Sequence, residues 1–270
     1  MRGYTVQALP GLPLVAPGDD VPQLIATAID AAGLVLVDGD VLVVTSKILS
    51  KAEGRVVALA GVTPSEEAHH YAAVTRKDPR MVEIVLRESN TVSRASVGVL
   101  VVEHRLGFVC ANAGVDQSNL AGGEAHALLL PEDPDQSAQT IRNLMHERYG
   151  ADIGVIVSDS HGRPFRMGNI GVAIGVAGMP GILDLRGDHD LFGRELKISI
   201  QGYADLVASA AQLATGEGAE GLPVVLVRGL AFPSQEDSLL LTQWVYIDQR
   251  YFLAIPSMKP VSRKRKLPFP

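Results

Sequence analysis

Residues 41–51 read Val-Leu-Val-Val-Thr-Ser-Lys-Ile-Leu-Ser-Lys, and this stretch says most about the fold of the chain. The β-branched and leucine run from Val41 to Thr45 predicts a strand buried on both faces. Lys47 and Lys51 follow, four positions apart. If a helix begins at Ser46, both lysines face one ligand, because residues four apart share a helix face. A surface ion pair is the competing interpretation of each lysine.

The same pattern, an apolar run followed by polar side chains, occurs twice more. Phe108 to Ala111 precedes Asn-Ala-Gly-Val-Asp-Gln-Ser-Asn, and Ile153 to Val157 precedes Ser-Asp-Ser-His-Gly-Arg. Asp116 and Asp159 would then lie where a strand ends. Two converging carboxylates can hold a hard divalent cation, which usually also binds phosphate oxygens. Each aspartate taken singly could instead close an Asx-turn or cap a helix.

Hydrophobic periodicity predicts further elements on both sides of these stretches. Helices are predicted at 21–34, 65–76, 79–89, 137–149 and 204–214. Further strands are predicted at 4–8, 97–102, 169–176, 195–200 and 223–227. Strands and helices mix without strict alternation. We therefore expect an α/β fold of mixed α+β character, not a regular parallel Rossmann sheet.

A glycine-rich stretch, Gly216-Glu-Gly-Ala-Glu-Gly221, formally matches the dinucleotide-binding pattern G-x-G-x-x-G. That motif needs a strand before it and a helix after it, and here the predicted order is reversed. It could be a helix C-cap with a flexible turn, or a loop whose backbone approaches a phosphate or a metal. In the second case Glu217 and Glu220 lie on its rim. No P-loop motif occurs, so any nucleotide binds in another scaffold.

Composition narrows the classes of function. With 47% hydrophobic and 20% charged residues, the 270-residue chain is a folded globular protein. The net charge of −6 gives no overall field that attracts nucleic acid. No apolar run reaches the ~20 residues of a membrane helix, and no signal peptide is apparent. We expect a cytoplasmic protein without nucleic-acid or membrane partners. The single cysteine, Cys110, is expected to be buried and inert.

The domain organisation predicted is one domain over residues 1–270. Two subdomains, with a boundary or excursion near 131–135, are the alternative, because composition shifts there. The C-terminal residues 258–270 carry the basic run Arg-Lys-Arg-Lys between prolines and are predicted to form a flexible tail.

Taken together, these stretches resemble one family, the coenzyme F420-0:L-glutamate ligases, or gamma-glutamyl ligases. The matching motifs keep their order over about residues 4–230: Gly11–Leu14, Gly39–Val44, Ser50–Arg55, Asn112–Asn119, Leu128–Pro131, Asp159–Arg163, Ala173–Gly175, Asp190–Leu196, Gly216–Gly218 and Val227–Gly229. Many independent motifs in register make the resemblance specific.

The resemblance implies an unusual α/β fold that is neither Rossmann nor P-loop, with mixed sheets, assembled as an intertwined homodimer. It implies a GTP-dependent ligase that joins L-glutamate to the lactyl carboxylate of F420-0 through an acyl phosphate, giving GDP and phosphate. Two divalent cations, manganese or magnesium, would assist, with room for a potassium ion. The substrates would be GTP, F420-0 and L-glutamate.

The resemblance also implies roles for individual residues. Contacts to GTP would come from Leu12, Pro13, Leu14, Val15, Ser46, Lys47, Lys51, Asn119, Gly216, Glu217, Gly218, Ala219, Glu220, Gly221, Leu222 and Pro223. Asp116 and Asp159 would hold the first metal, and Ser160 and the Gly218 backbone oxygen would help to hold the second. Asp116, Asp159 and Lys51 would be the catalytic residues.

Two departures from the family pattern stand out. Ser160 occupies a position where the family often has threonine, and because the hydroxyl is kept we expect metal binding to be kept. After about Ser234 the chain matches poorly. Three other functions remain open: a GTP-dependent ligase with another acceptor, a deazaflavin- or flavin-binding redox protein, and a non-catalytic nucleotide-binding regulatory module.

Overall fold

The structure, a computed structural model, describes residues 3–232. The tail predicted at 258–270 lies outside these residues. Within them, no helix is both long enough and apolar enough to cross a membrane. The division of the chain into one or two domains stays a prediction; residues 131–135 lead into a helix that begins at Pro134.

The described residues form a mixed α/β structure, which confirms the predicted class. The strands are β1 (Thr5–Ala8), β2 (Val41–Thr45), β3 (Val56–Ala58), β4 (Ser89–Ser96), β5 (Val99–His104), β6 (Val109–Ala111), β7 (His126–Leu128), β8 (Gly154–Arg163), β9 (Arg166–Ala177), β10 (Leu183–Asp184), β11 (Ile200–Gln201) and β12 (Val224–Arg228). The helices are α1 (Val21–Ala31), α2 (Ser46–Ala52), α3 (Glu66–Thr75), α4 (Pro79–Arg87), α5 (Pro134–Tyr149) and α6 (Tyr203–Thr215).

A five-stranded sheet with the order β1-β12-β2-β8-β9 forms the centre. Only β2 and β8 run parallel; the other three neighbouring pairs are antiparallel. Smaller ladders join β4-β5-β6, β3-β7 and β10-β11. The sheet is therefore mixed, as the irregular alternation of elements predicted, whereas the intertwined dimer stays a prediction.

Strand β2 shows why its sequence is apolar throughout. Successive side chains of a strand point to opposite faces, and both faces are covered here. Leu42 and Val44 pack in one core with α1 and α5, whereas Val41 and Val43 pack in a second core with α6. Each of these side chains is at most 1% exposed. Burial of one such side chain stabilises the fold by about 1.5–3 kcal/mol.

Most predicted helices are confirmed, with shifted ends. Helix α2 begins at Ser46, the start that would place Lys47 and Lys51 on one helix face. Helix α5 begins three residues before the predicted Ser137, because the Asp133 carboxylate accepts a hydrogen bond from the Gln136 amide and Pro134 occupies the first helical position. Helix α1 ends at Ala31 rather than at residue 34, since Gly33 takes a left-handed conformation with φ of 63°.

The strand predicted at 195–200 is wrong. Residues 178–202 form an arm that contains only the two-residue strands β10 and β11 and one isolated bridge, His189 to Glu195. The alternation of Glu-Leu-Lys-Ile-Ser-Ile predicts a half-buried strand, but no core covers its apolar face here, and Ile198 is 89% exposed. Strand β4 was not predicted, because its sequence is mostly polar.

Candidate active site

One cavity of about 800 Å³ lies at the carboxyl end of β2, where α2 begins. Every site residue that the sequence proposed lines it, although they come from five separate segments. These segments are Leu12–Val15, Ser46–Lys51, Asp116–Asn119, Asp159–Ser160 and Gly216–Pro223. The fold thus collects the proposed metal, phosphate and nucleotide residues at one place.

The loop side of the cavity consists of Asp116, Ser118, Asn119, Lys47 and Lys51. The Asp116 backbone is fixed by two hydrogen bonds with the backbone of the strand β7 residue opposite it. Lys47 Nζ lies 2.6 Å from Asp116 Oδ2 and donates to Ser118 Oγ at 2.7 Å. Lys51 Nζ donates to the Asn119 carbonyl oxygen at 2.8 Å. The predicted helix turn therefore does direct both lysines to one place, and the ion pair that Lys47 makes lies inside the cavity.

These contacts set the charge on the loop side. Burial by itself raises the pKa of the Asp116 carboxyl, but hydrogen bonds from Lys47 and from the amide and hydroxyl of Ser118 outweigh it, so the pKa lies below the ordinary 3.8. Burial, assisted by repulsion from Lys47, lowers the pKa of Lys51. Asp116 is thus held ionised, with its charge matched by the nearest lysine.

The strand side of the cavity consists of Asp159, Ser160 and His161. The prediction that Asp159 lies in a turn after the strand is wrong: β8 continues to Arg163, and Asp159 pairs with Val172 on β9. The apolar run stops at Val157 because only that part of β8 crosses the core, whereas the hydrogen-bonded ladder with β9 needs no apolar side chains and carries on.

The side chains on the strand side alternate between two environments. Asp159 Oδ1 accepts a hydrogen bond from Ser46 Oγ at 3.0 Å, and its Oδ2 lies 3.1 Å from His161 Nε2. Ser160 points the other way, towards α6. Its hydroxyl donates to Glu217 Oε1 at 2.7 Å and accepts from Gln212 Nε2 at 2.9 Å.

The glycine-rich loop, Gly216–Pro223, connects α6 to β12, in the predicted order of helix, loop and strand. Gly216 ends α6, with a φ of 70°, and a Cβ there would collide with the Glu220 carboxylate. The Gly218 amide donates to Glu220 Oε2 at 2.8 Å. The Gly218 carbonyl oxygen accepts from Asn119 Nδ2 at 3.1 Å. The loop therefore both caps the helix and reaches the loop side of the cavity.

Cys110 borders the cavity from behind, and it is 7% exposed. Burial, and secondly the nearby Asp159 carboxylate, raise the pKa of its thiol to about 12. The prediction of a buried cysteine is confirmed. A thiol with this pKa is protonated at neutral pH, so it is a poor nucleophile and a poor metal ligand.

The donors around the cavity suit a hard cation. Asp116, Asp159 and Glu217 supply carboxylates, Ser160 a hydroxyl and Gly218 a carbonyl oxygen. Among residues 3–232 no three acidic, histidine or cysteine side chains cluster closely enough to form a metal site by themselves. A cation here would complete its coordination with phosphate oxygens and water, which is how Mg²⁺ is usually bound.

Two residues of this network were missed by sequence reasoning. Gln212 contacts both Ser160 and Glu217, yet it lies in an alanine-rich helix whose sequence carries no functional signal. Ser118 holds both Lys47 and Asp116, and its position inside the Asn-Ala-Gly-Val-Asp-Gln-Ser-Asn motif could have indicated it.

Comparison with known proteins identifies the family of this chain. A family model described as F420-0:Gamma-glutamyl ligase matches residues 11–229. The coenzyme F420:L-glutamate ligase of Methanopyrus kandleri is 47% identical over 233 residues, which cover 85% of this chain and 90% of that protein. Proteins with the same name from Methanothermobacter thermautotrophicus and Haloarcula marismortui are 45% and 43% identical, each over 84% of this chain and over 89% and 88% of their own lengths.

A match of this extent defines the class of protein first: the chain is an enzyme, and it is a ligase. More narrowly, it belongs to the F420-0:gamma-glutamyl ligase family.

Proposed function

We propose that the protein is a GTP-dependent ligase that adds L-glutamate to the lactyl carboxylate of F420-0, with release of GDP and phosphate. The observation that carries the proposal is the convergence of two aspartates, two lysines and a glycine-rich loop on one cavity. The names of the relatives, coenzyme F420:L-glutamate ligase, supply the acceptor and the amino acid.

The proposed chemistry has two steps. A carboxylate is a poor acyl donor because oxide is a poor leaving group. In the first step a carboxylate oxygen of the acceptor attacks the γ-phosphorus of GTP, the bond to the β-phosphate oxygen breaks, and GDP leaves. In the second step the α-amine of glutamate attacks the acyl carbon, the amide forms, and phosphate leaves while the nitrogen loses a proton. The protein chiefly positions the reactants and neutralises charge.

The cavity residues fit the first step. Asp116 and Asp159 would hold one divalent cation, manganese or magnesium, and Ser160 and the Gly218 carbonyl oxygen would help to hold a second, with potassium as an additional ion. Such cations neutralise charge on the transferring phosphoryl group. Lys47 and Lys51 would supply the remaining positive charge, which a protein with a net charge of −6 must provide locally.

The nucleotide would lie between the segment Leu12–Val15 and the loop Gly216–Pro223, with Ser46 and Asn119 beside it. Leu14 is 95% exposed at the cavity mouth, so it is free to pack on a base or ribose. Asn119 already contacts Gly218 across the mouth, at 3.1 Å. Lys51 is proposed as a catalytic residue because it lines the cavity one helical turn from Lys47, where its Nζ group donates to the Asn119 carbonyl oxygen.

The residues that line the cavity argue against one of the three alternative functions. No phenylalanine, tyrosine or tryptophan is among the described residues that line the cavity, which disfavours a redox site built on ring stacking. A ligase with another acceptor would use the same phosphate chemistry, and a regulatory module would bind GTP without turnover. Both alternatives are separated from the proposal by substrate dependence.

We also propose that the protein is a homodimer. Phe165, Met167, Leu191, Phe192 and Ile198 are each at least 89% exposed. They lie at the tip of the β8–β9 hairpin and along the arm of residues 178–202. Two-residue strands are not stable by themselves in water, so a second copy that covers the arm would explain its exposed apolar side chains. Sedimentation of the wild-type protein and of Phe192→Asp tests this; a wild-type monomer would refute it.

The test of the reaction is phosphate release from GTP with Mn²⁺, with and without L-glutamate and F420-0, together with the mass of the acceptor. We expect release that needs both co-substrates and a mass gain of one or more glutamyl units. GTP binding without turnover would support the regulatory module instead. We place this activity in the cytoplasm, without membrane or nucleic-acid partners, as the composition predicts.

A further inference from the structure

His161 lines the cavity beside Asp159, yet the reaction proposed above gives it no role. The two residues lie two positions apart on β8, so their side chains share a face of the sheet. His161 Nε2 is 3.1 Å from Asp159 Oδ2, and Ser46 Oγ donates to Asp159 Oδ1 at 3.0 Å. Each oxygen of this carboxylate therefore faces one polar side chain.

The imidazole ring is held from behind. The His161 side chain is 14% exposed, and its ring packs against Phe108 with 5.6 Å between centroids. Phe108 in turn stacks on His104, with centroids 5.2 Å apart and planes 6° from parallel. His104 is fully buried. This column of three rings restrains His161 against the cavity wall.

The nitrogen that faces Asp159 is buried and has no aligned hydrogen bond among the described residues. Leaving a buried polar atom unbonded costs about 1–3 kcal/mol. Asp159 Oδ2 lies within hydrogen-bond distance of this nitrogen, at 3.1 Å. A hydrogen bond from this nitrogen to Asp159 Oδ2 would satisfy the buried imidazole and hold the carboxylate in one orientation.

We propose that His161 is a positioning residue, whose Nε2–H group orients the Asp159 carboxylate for the divalent cation. The inference rests on the cation site proposed above. Carboxylates that bind metals are commonly held by such outer hydrogen bonds, and loss of one typically lowers metal affinity 10- to 100-fold.

The test is the Mn²⁺ affinity of the whole protein, measured by titration calorimetry without nucleotide. His161→Phe keeps a ring against Phe108 but removes the nitrogen, and His161→Gln keeps an N–H group near the position of Nε2. We expect the dissociation constant to rise about 10- to 100-fold in His161→Phe and to stay within about 3-fold in His161→Gln. His69→Gln, on the exposed face of α3, is the control for an unrelated histidine. Thermal melting shows whether each variant is folded.

Two kinds of result, one from calorimetry and one from spectroscopy, would overturn the inference. One is an unchanged Mn²⁺ affinity in folded His161→Phe, or an affinity in His161→Gln as weak as in His161→Phe. The other is an imidazole nitrogen coupled to Mn²⁺ in pulsed EPR of the wild-type protein, which would make His161 a ligand instead. If the wild-type protein bound no Mn²⁺ at all, the cation site would fail and this inference with it, so the two failures are distinguishable.

Discussion

The two sides of the cavity hold their aspartates by opposite means. On the loop side, Asp116 is paired with a cation, with Lys47 Nζ at 2.6 Å, and its side chain is 41% exposed. On the strand side, Asp159 contacts the Ser46 hydroxyl and the His161 imidazole, and its side chain is 21% exposed. Asp159 is held in place because the β8 backbone there is hydrogen-bonded to β9, whereas Asp116 lies on a loop and its side chain is the more exposed of the two.

This difference indicates that the two sides respond differently when a cation binds. Without ligands, Lys47 occupies the position next to Asp116 that a cation would take, so a cation must displace it. The displaced lysine would then be available to a phosphate oxygen a few ångströms away. Among residues 3–232, no lysine or arginine is paired with Asp159, so this carboxylate needs only orientation. The loop side would therefore exchange partners on binding, whereas the strand side would stay as it is.

The largest expected effect comes from removing either charge. Asp116→Asn and Asp159→Asn should each abolish glutamate-dependent phosphate release, by at least ~100-fold in kcat, because a cation contributes several kcal/mol to the transition state. The amide keeps the size of the carboxylate, so melting curves should show a folded protein. Near-normal turnover in one variant would show that its aspartate does not hold the cation, so that only one side of the cavity would do so.

Lys47→Met should have opposite effects on the binding of GTP and on the binding of Mn²⁺. Loss of a charge-assisted contact should raise the KM for GTP about tenfold. Binding of Mn²⁺ without nucleotide should instead become tighter, since Asp116 loses its competing partner. Calorimetry with Mn²⁺ alone measures this. Lys51→Met is the matched control: it lies on the same helix but donates to a carbonyl oxygen, so its effect on Mn²⁺ should be smaller. Weaker Mn²⁺ binding in Lys47→Met would contradict the exchange.

Mild acid should weaken the strand side first. Burial lowers the pKa of His104, behind His161, to about 4; Glu88 opposes this, and Arg105, Arg55 and His161 assist it. The unfolded chain has a histidine pKa near ~6.5 and binds the proton first, so stability is full above that pH and falls as the pH drops towards 4. The loss should be about 2 kcal/mol at pH 5.

Urea unfolding at pH 7 and pH 5 measures this loss, and in His104→Phe the difference between the two pH values should shrink by about the same amount. Nuclear magnetic resonance of the His104 ring gives its pKa directly. A value near 6.5 would refute the prediction. The loop side should not respond in this range, because the lowered pKa of Asp116 keeps its ion pair until the pH falls below the ordinary 3.8.

The smallest effect should come from Cys110, which lies against the strand side. Cys110→Ala should change kcat less than about 2-fold, because the buried thiol with a pKa of about 12 takes no part in the reaction. In the wild-type protein this thiol should react with a disulfide reagent at least ~100-fold more slowly than after denaturation. Fast labelling of the folded protein would show that the wall behind Asp159 opens.

Much of the fold was predictable because local periodicity matched the burial. Strand β2 follows its predicted boundaries, since it is apolar on both faces, and helix α2 begins at Ser46, where the polar residues start. The strand at 195–200 failed for the opposite reason: its alternation is real, but no layer covers it. Strand β4 was not predicted because its pairing with β5, and not a pattern of apolar side chains, defines it.

For the site, the sequence by itself determined which residue types are present and in what order: two aspartates, two lysines four apart, and a glycine-rich loop between a helix and a strand. Short-range geometry, such as the helix turn between Lys47 and Lys51, follows from that order. Only the tertiary structure decided what each group touches. Asp116 meets Lys47, Asp159 meets Ser46 at the start of α2, and Gln212 reaches Ser160 from α6. Such contacts join residues distant in the chain, and the packing of both faces of the sheet sets them, which no local pattern encodes.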